Sequence, residues 1–340
     1  MPASFYISMP LRDLAAETLG FYRQIGVEAV TVPARYSEEP AGVPVRPLVP
    51  PPQKKGPPPP PRPWDADELA RVCRRVESFG LRPASIDLPL SDAILLGLPG
   101  RAADLERVKG AIGLAGSLGL EVLTCNFTAL RASEGYGLRG GGRGGARLRD
   151  FDAARVEGLP PLPGLGRQGR EEMWARLEAF LKAAVPAAEG AGVRLAMHPN
   201  DPPVADYRGV AQPLDCLGSM KRLVETVDSP ANSVFFDTGV STEWGEDALA
   251  VLRHFGGRDR IGMVHFRNVR TQEPSRRYVE TFIDEGQCDM AACMDALGEV
   301  GYRGGVDPDH TPGIGGDADG RQGWAYAVAY MRALRHRSAP

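Results

Sequence analysis

Lysine is almost missing from this chain of 340 residues: it occurs only at 54, 55, 109, 182 and 221, so nearly all of the 40 basic residues are arginine. With 43 acidic residues the formal net charge is -3, which provides no field to draw in nucleic acid or an anionic membrane. Long apolar runs are missing too. No stretch approaches the ~20 residues of a membrane span, and the opening MPASFYISMPLRDLA lacks the basic region and apolar core of a secretory leader. The expectation is a cytoplasmic protein. Its five cysteines, at 73, 125, 216, 288 and 293, are odd in number and contain no CxxC pair. That excludes a zinc ribbon or a disulfide framework and fits reduced thiols. Nor does a glycine-rich phosphate turn follow the first strand-like segment, as a dinucleotide-binding open sheet would often show.

What remains is a regular alternation. Short β-branched or aromatic runs predict strands at 4–8, 29–33, 82–89, 121–127, 194–199, 233–239, 261–268 and 304–310. Amphipathic helical stretches separate them, several closed by a glycine stop signal. Eight strand–helix units are the number that closes a (β/α)₈ TIM barrel, here as one domain over 1–340. Two segments break the rhythm: the proline-dominated 36–64 after the second strand and the glycine- and arginine-rich 133–149 after the fourth. Both are read as loop insertions on the C-terminal face of the barrel, where such folds carry their active sites. They are either lids, with arginines meeting an anionic substrate, or plain length-tolerant insertions.

Histidine is the rarest informative residue, with five in the chain. His198, His265 and His310 stand at or just past the C-terminal ends of expected strands, whereas His254 and His336 fall in helical runs and receive no role. Asp237 closes SVFFD and Asp309 directly precedes His310. Side chains at consecutive strand ends point into one barrel mouth, so His198, Asp237, His265 and Asp309 are expected to converge on one divalent metal. A mixed nitrogen and oxygen set suits Mn²⁺, Fe²⁺, Co²⁺ or Zn²⁺ and is poor for Ca²⁺. Around it, Arg267 is a candidate for binding a substrate carboxylate or for a barrel-mouth salt bridge. Asn126, Asn200 and Asp201 are candidates for substrate hydroxyls or for orienting ligands.

At LAMHPNDPP (195–203), VHFRNV (264–269), EGQCDMAACMDALGEVGY (285–302) and DPDH (307–310), and more weakly at EVLTCNF (121–127), the chain resembles the mannonate dehydratase family of the xylose-isomerase-like barrels. The resemblance runs from about residue 110 to the C-terminus. It implies a metal-dependent lyase that removes water from a sugar acid to leave a 2-keto-3-deoxy acid, with His310 moving a proton. The family's ligands, His, Cys, His and Asp, fall on His198, Asp237, His265 and Asp309. Asp237 thus replaces a cysteine, and a carboxylate, being harder than a thiolate, shifts the expected ion toward Mn²⁺ first, then Mg²⁺. The family's tyrosine falls on Trp324, with Tyr326 close by, and its strand-seven histidine falls on Asp284.

The leading reading is therefore a dehydratase for a small-molecule carbohydrate, with no nucleic-acid or membrane partner and a homo-oligomer left open. The alternatives are a metal-dependent sugar isomerase or epimerase working through an enediolate, and an inactive barrel that binds sugar or serves as a scaffold.

Overall fold

A computed structural model describes residues 5–33, 65–128, 134–162 and 164–337. Eight parallel strands close into a barrel. They are β1 (Tyr6–Pro10), β2 (Ala29–Val32), β3 (Arg82–Asp87), β4 (Val122–Asn126), β5 (Arg194–His198), β6 (Asn232–Asp237), β7 (Ile261–His265) and β8 (Gly305–Asp307). Each pairs with its neighbours in chain order, and β8 returns to β1. The strands are short and almost wholly buried, as parallel strands covered by helices outside and packed side chains inside must be. Among the described residues no helix is long and apolar enough to cross a membrane.

Strand register sets the height of the site. Asn126 lies level with His198, Asp237 with His265, and His265 with Asp307. Side chains two residues apart on a strand share a face. His198 therefore stands above Ala196, Asp237 above Phe235, and His265 above Met263. With Val122 these three residues form one buried apolar layer, the floor of the mouth. Phe235 lies against both imidazoles, its ring centroid 5.1 Å from His198 and 4.1 Å from His265.

Two expectations about insertions meet different outcomes. The segment 36–64 lies outside the described residues. The segment 133–149, from residue 134 onward, is not a simple loop. Tyr136–Arg139 and Leu148–Asp152 pair antiparallel and join Arg277–Glu280 and Val269–Glu273 in a four-stranded sheet beside the barrel mouth. The reason is alternation hidden by composition. Tyr136, Phe151 and Tyr278 lie in one cross-strand row, Phe151 stacking on Tyr278 and meeting Tyr136 at a tilt, a pairing that stabilises sheets. The glycines supply the turn between the two strands, where Gly141, Gly144 and Gly145 take positive φ. Two backbone hydrogen bonds between Arg147 and Gly313 then fasten this hairpin to the loop after β8.

Candidate metal centre and active site

Asp237 owes its position to the sequence Asp-Thr-Gly at the end of β6. One carboxylate oxygen, Oδ1, caps the short helix Thr238–Glu243 by accepting from the Val240 amide at 2.8 Å. That leaves Oδ2 turned to the barrel axis, 3.4 Å from His198 Nε2 and 3.3 Å from His265 Nδ1. The two imidazole nitrogens are themselves 3.1 Å apart. His198 is oriented from behind, its Nδ1 lying 2.7 Å from the Pro199 carbonyl, the outer contact that metal-binding histidines characteristically make.

These spacings suit an ion. Ligand atoms each about 2.1 Å from a metal, at tetrahedral or octahedral angles, stand about 3.0–3.4 Å from one another. His198, Asp237 and His265 form a group whose ligand atoms all lie within 4.8 Å of each other and that could hold a metal. Asp309, expected as the fourth ligand, is not in that group. Its Oδ1 is 3.7 Å from the other nitrogen of His265, Nε2, and its Oδ2 is 3.5 Å from Arg267 Nε. It stands beyond the end of β8 with a φ of 58°, so its direction is set by the loop and not by the strand.

Arg267 requires the largest revision. It does not reach into the mouth as a free guanidinium: it is 2% exposed, and every arm is engaged by the protein. Nε donates to Asp237 Oδ2 at 2.9 Å, one terminal nitrogen to Glu243 at 2.9 Å, and the other to Asp201 at 3.1 Å. Thr238 fixes its backbone, its hydroxyl donating to the Arg267 carbonyl and accepting from the Arg267 amide. The salt-bridge alternative is the one the geometry favours. Asn200 is likewise turned inward. Its amide donates to the Phe127 carbonyl and accepts from Leu214 N, both buried, and this removes it from the substrate side. Asp201 accepts from Tyr136, Tyr278 and Arg267, so it ties the mouth sheet to the barrel. Asn126 alone of the four keeps an exposed side chain, at the strand end level with His198.

The electrostatics follow from crowding carboxyls in a dry place. Burial alone would raise the Asp237 carboxyl, but Arg267, His198 and His265 hold it well below the usual carboxylate range. Burial raises the Glu243 carboxyl well above the usual carboxylate range, and Asp201, Asp237 and Glu280 push it further despite Arg267. Burial works against a charged His265, yet Asp309 and Asp237 raise it. Burial keeps His310 low and therefore neutral. Glu280, absent from the sequence-based candidates, is 3% exposed. It meets Arg149 at 3.5 Å, Arg267 at 3.7 Å and His310 Nε2 at 3.4 Å. Neither of its oxygens has a hydrogen-bond partner among the described residues, nor do Glu243 Oε2, His310 Nε2 and Arg149 Nε. Even with Glu243 left out, the carboxyls of Asp201, Asp237, Glu280 and Asp309 around the mouth outnumber the guanidiniums of Arg149 and Arg267. A buried excess of negative charge is costly without a compensating cation. The donor set and the charge balance both fit a divalent ion.

Sequence reasoning missed Glu280 and Glu243 because each looks like a surface residue in its local context, and it reached Arg149 only as one of the arginines of the 133–149 segment. The two positions that compete for the family's tyrosine part company. Trp324 is packed in the core, whereas Tyr326 is exposed and bonds Arg143, which in turn pairs with Asp284 at 2.8 Å.

A closed eight-stranded parallel barrel with a histidine–carboxylate cluster at its C-terminal mouth defines a TIM barrel with a candidate metal site where such folds carry their active sites. A xylose isomerase domain protein from Planctomyces limnophilus superposes on it with a TM-score of 0.61 at 13% identity, covering 99% of this chain and 98% of that one. The crystal structure of mannonate dehydratase from Streptococcus suis serotype 2 superposes with a TM-score of 0.82 at 24% identity, covering 99% and 94%. In sequence, the mannonate dehydratase of Streptococcus equi subsp. zooepidemicus is 28% identical over 297 residues, 80% of each chain. The family model of D-mannonate dehydratase (UxuA) matches residues 167–336. This protein belongs to the D-mannonate dehydratase family.

Proposed function

We propose that the protein is a metal-dependent hydro-lyase that converts a sugar acid, D-mannonate first among the candidates, into a 2-keto-3-deoxy acid and water. The observation that carries the reading is the meeting of His198, Asp237 and His265 within ion-binding distance at the mouth, in a chain whose family relatives are named for this dehydration. His198, Asp237 and His265 would hold the ion, with Asp309 beside them. The hard carboxylate of Asp237 favours Mn²⁺, then Mg²⁺, over softer ions. When bound, a divalent cation supplies a Lewis acid that polarises substrate oxygens.

The protein's own groups supply the rest. His310 Nε2 lies 3.1 Å from Asp309 and 3.4 Å from Glu280, aligned for a hydrogen bond with neither, which supports a role in moving a proton to or from the substrate. Arg149 projects from the mouth sheet, its guanidinium 4.0 Å from the centre of the Tyr136 ring and 3.5 Å from Glu280. It replaces Arg267 as the cation that would receive the substrate carboxylate, a bidentate pairing suited to guanidinium. Asn126, exposed and level with His198, would meet a hydroxyl.

The test is to supply the purified protein with Mn²⁺ or Mg²⁺ and a panel of aldonates, and to detect 2-keto-3-deoxy acid chemically. D-Mannonate should give that product only with metal present. A mass-neutral product from a sugar, with no keto-deoxy acid from any aldonate, would make the protein an isomerase. Metal binding with no turnover of either class would leave a binding protein.

A further inference from the structure

Outside the mouth, two sulfurs stand unusually close. Cys288 Sγ and Cys293 Sγ are 3.6 Å apart, and both thiols are free. Their proximity is built into the local fold. Asp289 is the N-cap of the helix Met290–Glu299, its side chain accepting from the Ala292 amide at 2.9 Å. Cys288 therefore occupies the position just before the cap and Cys293 the fourth residue of the helix. These are the two places whose side chains meet in a hydrophobic staple. Here both members are cysteines, so the motif that fixes the entry angle of the chain also brings their sulfurs into contact.

The pair is also held from outside the helix. The Asn268 side chain accepts from the Cys288 amide at 3.0 Å and donates to the Cys288 carbonyl at 3.1 Å. With residue 288 pinned on one side and Cys293 on a capped helix, neither sulfur can drift away by backbone motion alone. Access is unequal: Cys288 is half-buried, whereas Cys293 is fully buried. The hydrogen bond with Cys288, together with burial, pushes the Cys293 thiol up. Cys288 is thus the sulfur that meets a small oxidant first.

We propose that Cys288 and Cys293 form a peroxide-sensitive dithiol that closes reversibly to an intramolecular disulfide. The Cys288 thiolate attacks one peroxide oxygen, breaking the O–O bond to give a sulfenic acid and water. The Cys293 sulfur then attacks the Cys288 sulfur and expels the hydroxyl as a second water. Two thiols and hydrogen peroxide become one disulfide and two waters, the two thiol protons leaving in the water and the sulfurs losing the two electrons that the peroxide gains. The site is independent of the barrel-mouth reading and does not require it to hold.

The full-length protein is exposed to graded hydrogen peroxide, denatured, alkylated and digested after arginine and lysine. Tyr278–Arg303 then forms one peptide that carries both residues. The expected result is a peptide that takes no alkyl group, is about 2 Da lighter than the reduced form, and regains two alkylation sites after dithiothreitol. In Cys293→Ser, which cannot close the bond, Cys288 should instead advance to sulfinic acid. Exposed Cys216 is an internal gauge of oxidant dose. If Cys216 is oxidised while the 278–303 peptide still takes two alkyl groups, the proposal fails. It also fails if wild-type Cys288 reaches sulfinic acid as fast as it does in Cys293→Ser.

Discussion

Arg267 and Asp237 face each other across 2.9 Å inside the barrel mouth, and the oxygen that Arg267 grips is the one turned toward His198 and His265. A guanidinium thus orients the carboxylate of a candidate metal centre while also holding Glu243 and Asp201. Replacing Arg267 by leucine leaves those carboxyls together without their cation. Removing one partner of a buried ion pair costs about 3–5 kcal/mol, and urea unfolding of Arg267→Leu should show a loss of that order. A change below about 1 kcal/mol would mean that the network contributes little to folding.

The same contact makes a glycine indispensable. A Cβ on Gly239 would fall 2.7 Å from Arg267 Cζ and 2.8 Å from its Nε. Arg267 cannot move aside, because each arm of its fork is bonded. Gly239→Ala should therefore cost roughly 1–3 kcal/mol through overpacking and lower metal affinity as Asp237 turns. Unchanged thermal stability and metal content in this variant would show that the arginine has room the structure does not suggest.

Metal should stabilise the folded chain, because the three ligand atoms come together only when strands β5, β6 and β7 are in register. Ligand at a hundred times its dissociation constant adds about 2.7 kcal/mol. Thermal unfolding after chelation, and again after Mn²⁺ is restored, should differ by several degrees. His198→Ala should erase the difference and the bound metal together. Full metal content in that variant would overturn the assignment of ligands.

The barrel was legible in the sequence because its strands are buried on both faces, so each appears as a short apolar run wherever it lies in the chain. His198, Asp237 and His265 were legible for a related reason: strand ends are easy to locate, and a period of two then fixes which side chains look inward. Loop-borne groups gave no such signal. Asp309 lies past the end of β8, where a φ of 58° sets its direction. Glu243 sits in STEWGED, which has the composition of a surface turn, yet it is fully buried because Arg267, 24 residues away, reaches it. The strand Leu148–Asp152 was hidden at the end of a glycine–arginine run, where three of its five residues are charged, two of them adjacent, and no apolar stripe stands out. Long-range charge pairing and sheet formation by a polar segment are tertiary facts, and local pattern does not encode them.

Arg149 offers a test of substrate recognition that leaves the ion alone. Its guanidinium is stacked on Tyr136 and touches none of the three ligands. If it receives the substrate carboxylate, Arg149→Gln loses a charge-assisted interaction of about 1.5–3 kcal/mol. That corresponds to roughly a ten- to hundredfold rise in KM for an aldonate, with metal content unchanged. Equal KM values for variant and parent would assign Arg149 to the support of Glu280 alone.

Asn126 and Asn200 looked alike in sequence, both beside a strand end at the mouth, and the structure separates them. Asn200 is 3% exposed and spends its amide on Phe127 O and Leu214 N. Asn200→Ala strands a buried carbonyl and a buried amide, each worth about 1–3 kcal/mol when unsatisfied. Its mark should be early unfolding in urea with unaltered kcat/KM per folded molecule. Asn126 has an exposed side chain level with His198. Asn126→Ala should leave the urea midpoint within the small range usual for surface changes, about 0.5 kcal/mol, and raise KM. Urea midpoints and steady-state kinetics on both variants decide the matter. The reverse pattern, with Asn126 stabilising and Asn200 kinetic, would place the substrate on the opposite side of β5 from the metal ligands.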